Sequence, residues 1–136
     1  MRSLPSTSRS LLVRTDFSDD EAWRALLDRV SQASDDGFRA YVEPFARRRY
    51  DQVDWSEVRA AVPISRDRPA LLFVADRVAQ VNTEHPILVV DIREDRQPFR
   101  CSAEQLWSVE NNLNISNMDW EDFTDALMDD GVFRGF

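Results

Sequence analysis

Leu11-Leu12-Val13-Arg14-Thr15-Asp16 and Leu71-Leu72-Phe73-Val74-Ala75-Asp76 are two short apolar runs that each stop on an aspartate. A third run, Ile87-Leu88-Val89-Val90-Asp91, has the same form. Continuous runs of Leu, Val and Phe, too short for a helix, read as strands buried on both faces, the pattern of a parallel sheet with helices on each side. A fourth run, Phe38 to Glu43, alternates Phe38, Ala40 and Val42 with Arg39, Tyr41 and Glu43. It reads as a half-exposed edge strand that Pro44 ends. In open α/β sheets, ligands gather outside the carboxyl ends of the strands. Asp16 and Asp76 are therefore the first candidate site residues, with Glu43 flanking them and Asp91 as a further strand-end acid.

Between these runs the helical signals are clear. Ser18 and Glu21 have the spacing of a capping box. Ala22, Trp23, Leu26, Leu27 and Val30 then form the stripe of an amphipathic helix. Ser34 to Gly37 is a loop. Asp54 with Glu57 opens a second helix, carrying Trp55, Val58 and Val62 and closed by Pro63. Arg66 to Pro69 reads as a charged loop. A full helix in each of the first two connections makes strands one, two and three mutually parallel, and right-handed crossovers give the flavodoxin-like order 2-1-3.

The connection from Arg77 to Pro86 is borderline for a parallel crossover, so the direction of the Ile87–Ile92 strand stays open. Glu94 to Gln97 is a polar turn that pairs Phe99–Cys101 back as an antiparallel strand. Ser102 and Gln105 suggest another capping box, before a helix with Leu106, Val109 and Leu113 on its stripe and Trp107 beside it. A last helix starts near Asn117 or Asp119, with Trp120, Phe123 and Leu127 on one face and Gly131 as its C-cap. The ending Gly131-Val132-Phe133-Arg134-Gly135-Phe136 is too apolar to hang free and is expected to dock. The fold class is a single α/β domain over residues 11–136. Its mixed, mostly parallel sheet carries helices packed on it and follows a polar arm at residues 1–10.

The 136-residue chain has a formal net charge of -8. A domain of this length buries about 68–70% of its unfolded surface and folds without staples. The negative charge argues against nucleic acid and anionic membranes as partners; it is compatible with a basic protein partner and is also the charge that simply keeps a small protein in solution. No apolar stretch approaches the ~20 residues of a membrane span. The opening residues lack the apolar core of a secretory signal. Cys101 is the single cysteine, which rules out an internal disulfide framework and points to a reducing, cytoplasmic setting. All 17 basic residues are arginine, as a GC-rich genome favours. Without lysine there is no Schiff-base chemistry and no lysine to grip a phosphate.

The segments LLVRTDFSDDEAW, FVADR, HPILVVD, LWSVENNLNISNMDW and DGVFRGF together resemble a family of small acidic actinobacterial proteins known only as a domain of unknown function. The likeness covers nearly the whole chain and is most distinctive from Leu106 to Trp120. It implies a GC-rich bacterial source and one self-contained domain, and it carries no activity.

Chemistry is more sharply limited than fold. Asp16 beside Asp76 could hold Mg²⁺ through waters and phosphate oxygens, but receiver-like and phosphatase-like sites also need a lysine. The D-x-D spacing is absent as well. The alternative is that both acids accept hydrogen bonds from loop amides and helix N-termini. Gly37, Gly131 and Gly135 form no phosphate-binding loop. One histidine, His85, and one cysteine make neither a zinc site nor a recognisable nucleophile motif, so Cys101 reads as a buried thiol. Arg47-Arg48-Arg49 reads as a solvated loop paired to Asp51 and Asp54. Asn111, Asn112, Asn114 and Asn117 crowd the link between the last two helices. Asn114 and Asn117 suit left-handed and capping positions there. With Trp107, the four make a candidate partner surface; the alternative for Trp107 is a widened core face. No cofactor is expected. The leading expectation is a small acidic binding protein, of the immunity or inhibitor kind, for a basic protein partner. The alternative is a Mg²⁺-dependent hydrolase using the strand-end carboxylates.

Overall fold

The computed structural model describes residues 4–63 and 69–136. The strands are β1 (Ser10–Arg14), β2 (Val42–Phe45), β3 (Leu71–Ala75), β4 (Pro86–Asp91), β5 (Phe99–Ser102) and β6 (Val132–Phe133). The helices are α1 (Asp20–Ser31), α2 (Trp55–Ala60), α3 (Arg77–Val81), α4 (Leu106–Asn114) and α5 (Trp120–Thr124). The strands form one mixed sheet in the order β2-β1-β3-β4-β5-β6. β1 pairs in parallel with both β2 and β3, so the order 2-1-3 stands. β4 runs antiparallel to β3 and to β5, while β6 is parallel to β5. Five of these six strands thus point one way.

The central strands are covered on both faces, as their unbroken apolar runs require. Every residue of β1 and of β3 is buried. Leu12, Phe73, Ile87, Val89 and Cys101 face one core with Trp23, Leu26 and Val30 of α1, Leu106 and Val109 of α4, and Trp120 and Phe123 of α5. Leu11, Val13, Leu72, Val74 and Val90 face a second core with Leu4, Tyr50 and Val58 of α2. α1 and α2 therefore sit on opposite faces, which is the outcome of crossovers leaving the central strand in opposite directions. The segment expected as a polar arm reaches into this second core, where Leu4 is buried and its N–H donates to the Ala61 carbonyl at 2.8 Å.

The open question of the β4 direction resolves as antiparallel. Residues 76–85 hold only the five-residue α3, too short to return the chain to the far end of the sheet. His85 turns the chain with φ of 49°, and its Nδ1 lies 2.9 Å from the Ala79 carbonyl oxygen.

Several local expectations are corrected. The second strand does not span Phe38 to Glu43. It is Val42–Phe45 and contains Pro44. Pro44 is tolerated because β2 is an edge strand with one neighbour. Phe38 is instead drawn onto Trp107, with ring centroids 5.3 Å apart. The cap of α1 is Asp19, whose Oδ1 accepts from the Ala22 N–H at 3.0 Å. Ser18 is not available for that role, since its hydroxyl donates to Asp16 and accepts from Arg77. Ser102 makes no capping box, and a 3₁₀ turn at Ala103–Gln105 leads into α4. α5 stops at Thr124, so Gly131 is not its C-cap; with φ of 79° it forms the turn into β6. The arginines at 47–49 do not pair with Asp51 and Asp54 as expected. Arg47 and Arg49 lie over Phe45, and Arg48 over Phe17. Asp54 caps α2. The charged loop from Arg66 to Pro69 lies, except for Pro69, outside the described residues.

The C-terminal segment docks as the sixth strand. Phe133 is fully buried and meets Phe123 edge-on at 5.0 Å, while Phe136 packs on both rings. Trp120 packs edge-on against Phe99 at 4.8 Å and is buried, whereas Trp107 is only partly buried. Trp120→Ala should therefore cost about 3–5 kcal/mol in urea denaturation, and Trp107→Ala clearly less. Equal, large losses would place Trp107 in the core.

Candidate functional site

Past their last strand residues, β1 and β3 stay paired: the Thr15 N–H donates to the Ala75 carbonyl at 3.0 Å. Asp16 and Asp76 thus emerge side by side at one sheet end. In the sheet β2 lies beyond β1 and β4 beyond β3, while α1 and α3, which follow β1 and β3, pack on the same face. A cleft of about 310 Å³ lies at that sheet end. Val74, Leu88 and Trp55 give it apolar walls, while Thr15, Gln52 and Arg77 supply polar ones.

Of the acids here, Asp76 and Asp54 line the cleft and Asp16 is buried beside it; Asp54 caps α2, and the other two are engaged by their own chain as well. Asp16 is buried. Its carboxylate accepts from the Ser18 hydroxyl at 2.8 Å and the Gln52 amide at 3.0 Å, with Arg77 Nη1 at 4.0 Å. Its backbone carbonyl accepts from Arg14 Nε at 2.7 Å and Gln80 Nε2 at 3.0 Å. Gln52 holds a left-handed backbone with φ of 62°, fixed by its N–H donating to the Thr15 carbonyl at 2.8 Å. Asp76 caps α3, its Oδ1 accepting from the Ala79 N–H at 3.0 Å. It is also gripped by Arg100 of β5, with Nη1 to Oδ1 at 3.0 Å and Nη2 to Oδ2 at 2.7 Å. That two-pronged geometry is the strong form of a carboxylate ion pair. Arg14, buried at the end of β1, lies 4.4 Å from the Phe17 ring and bonds Asp20 at 3.0 Å. Arg14 and Arg77 are the arginines that the sequence places next to these acids, whereas Arg100, which comes from two strands later, was not foreseen.

The other two acids lie elsewhere. Glu43 is exposed and sits opposite Leu11, at the starting half of β1, because β2 begins later than its sequence pattern implies. Asp91 ends β4, which runs antiparallel, so it lies opposite Leu71 at the far end of the sheet. There its Oδ1 accepts from the N–H groups of Arg93 at 2.8 Å and Glu94 at 3.0 Å, closing a turn. Among the described residues no group of three or more His, Cys, Asp or Glu side chains is placed to hold a metal ion. Cys101 is fully buried, and that burial pushes its thiol pKa far up.

The asparagines are committed to internal bonds. Asn111 donates to the Arg39 carbonyl at 3.0 Å and Asn112 to the Ser108 carbonyl at 2.8 Å. Asn114 donates to the Ser10 hydroxyl at 3.0 Å, and Asn117 to the Asn112 side chain at 2.9 Å. Together they fasten α4 to β1, to the loop before β2 and to the turn before α5. The left-handed position in that turn belongs to Ser116, with φ of 56°, and Asp119 caps α5. Of the suspected surface, Asn117 is exposed, and Trp107, stacked on Phe38, is half-buried as Asn111, Asn112 and Asn114 are.

Glu110 was missed. It follows Leu106 by one helical turn and so shares the buried stripe, the signal that a sequence reading could have used. Its carboxylate accepts from the Tyr41 N–H at 2.6 Å. Burial raises its pKa above the ordinary 4.5, against the opposing pull of that N–H, Asn114 and Arg9. The charged form is therefore penalised in the folded state. This penalty is absent below the unfolded value and grows until pH passes the raised folded value. Glu110→Gln, which keeps an acceptor for Tyr41, should raise the melting temperature at neutral pH. The gain should vanish below pH 4.5, and a pH-independent gain would contradict the assignment.

A search of curated proteins returns no match. The sequence profile that does match covers residues 9–136, almost the entire described fold. The chain therefore belongs to the family described as a domain of unknown function, DUF6924.

Proposed function

We propose that this protein is a non-catalytic binding protein for a basic protein partner, of the immunity or inhibitor kind. The observation that carries this reading is the internal neutralisation of the strand-end acids. Asp76 is clamped by Arg100 at 2.7 and 3.0 Å, and Asp16 is buried among Ser18, Gln52 and Arg77. A Mg²⁺-dependent hydrolase on these carboxylates would need oxygens open to a hard cation and its waters. Here those oxygens already bind arginine, amide and hydroxyl donors. Among the described residues, the thiol of Cys101 is buried and His85 is occupied at a turn.

With the strand-end acids engaged, the negative charge that remains lies outward. Glu21 and Asp28 of α1 and Asp35 and Asp36 after it are exposed; Asp19, which caps the helix, and Asp20, bonded to Arg14, are exposed as well. An outward acidic field speeds encounter with a cationic partner and repels nucleic acid and anionic lipid. No helix among the described residues is long and apolar enough to cross a membrane. The lone buried Cys101 suits a reducing, cytoplasmic setting.

Fluorescence polarisation with labelled arginine-glycine and glutamate-glycine peptides tests the charge preference. The arginine peptide should bind at low ionic strength and weaken as salt is added, while the glutamate peptide should not bind. Failure of the arginine peptide to bind, or equal binding of both, would overturn the reading.

A further inference from the structure

We infer that the groove between the loop after α1 and the start of α4 is the docking surface for a basic segment of that partner, with an arginine or lysine side chain seated on the Phe38–Trp107 pair. This inference rests on the proposed binding role and gives it a place. The groove encloses about 410 Å³ and is lined by Arg29, Asp35, Asp36, Glu104 and Trp107 among others; Phe38 lies outside this lining and joins it through its stacking on Trp107. Trp107 and Phe38 are stacked, with planes 13° apart, and Phe38 keeps half of its surface in solvent.

Two independent features select a cation as the occupant. The first is the treatment of aromatic rings elsewhere in the chain. Arg9 lies over Tyr41, Arg14 and Arg48 over Phe17, Arg47 and Arg49 over Phe45, and Arg96 over Trp120. Among the described residues no arginine lies over Phe38 or Trp107. These rings are a cation platform left without an internal cation. The second feature is charge. Glu104 pairs with Arg29 at 3.4 Å. Among the described residues, the Asp35 and Asp36 carboxylates take part in no hydrogen bond or ion pair. Two unpaired acids beside an open aromatic pair complement one or two basic side chains in both charge and shape. Tryptophan is among the residues enriched at binding hot spots.

The test uses the labelled arginine-glycine peptide and four forms of the full chain: wild type, Phe38→Ala, Trp107→Ala and Asp35→Asn/Asp36→Asn. A control, Glu43→Gln/Glu57→Gln, removes the same charge elsewhere. Circular dichroism melts confirm that each form is folded. Phe38 is half exposed in a loop, so its variant keeps the test valid if Trp107→Ala proves unstable. Each groove variant should weaken binding about tenfold, as loss of a cation–π or ion-pair contact does, and the control should not. Equal weakening by the control would mean diffuse charge attraction, overturning the groove while leaving the basic-partner reading intact. Absence of peptide binding to the wild type would overturn both. Self-association of the wild type that Phe38→Ala abolishes would also overturn the proposal, by assigning the groove to a second copy whose Arg47–Arg49 run supplies the cations.

Discussion

The adjacent parallel strands β1 and β3 can exist only if both of their faces are removed from water, and the rest of the structure follows from that constraint. Their side chains are apolar on both faces, so exposing either would forfeit roughly 25 cal/mol for each Å² of apolar surface. One face is closed by α1 and α4 and the other by α2 with Tyr50 and Leu4. Placing α1 and α2 on opposite sides sends β2 one way and β3 the other. The C-terminal half extends the sheet with β4, β5 and β6 and completes the first core through an aromatic cluster of Phe99, Trp120, Phe123 and Phe133.

A buried strand pair still has to end somewhere, and its ends are polar. The backbone carbonyls of Asp16 and Ala75 take hydrogen bonds from the buried side chains of Arg14 and Gln80. The carboxylates of Asp16 and Asp76 take theirs from serine, glutamine, a helix N-terminus and Arg100. A buried polar group without a partner costs about 1–3 kcal/mol, so this network is a condition of folding before it is anything else. An acid at a strand end is thus weak evidence for catalysis, and an arginine fork on that acid argues against a metal.

The sequence made the central half of the fold legible. The runs at Leu11 and Leu71 marked β1 and β3, and the helices between them fixed the order 2-1-3. What stayed hidden depended on contacts between distant residues. The pattern Phe38 to Glu43 alternates like a strand, yet stacking on Trp107 and the bond from Tyr41 to Glu110 divert it. The position of Glu43 failed with it. Asp91 carried the same local signature as Asp76 but belongs to a strand whose direction a ten-residue connection left open. The asparagines mark an unusual segment, while their internal bonds depend on Arg39 and Ser10, which lie far away in sequence. The Arg100 partner of Asp76 was invisible for the same reason, since it comes from two strands later.

The proposed function turns on the state of the strand-end acids: in that proposal they are held for structure, and recognition falls to the acidic exterior and the Phe38–Trp107 pair. The most direct measurement is a double-mutant cycle between Asp76 and Arg100, using Asp76→Ala, Arg100→Ala and the double variant in urea denaturation. A structural clamp predicts a coupling energy of about 1–2 kcal/mol, unchanged by millimolar Mg²⁺. Additive losses, with a Mg²⁺-dependent stabilisation that Asp76→Ala abolishes, would contradict it and restore the metal-dependent reading.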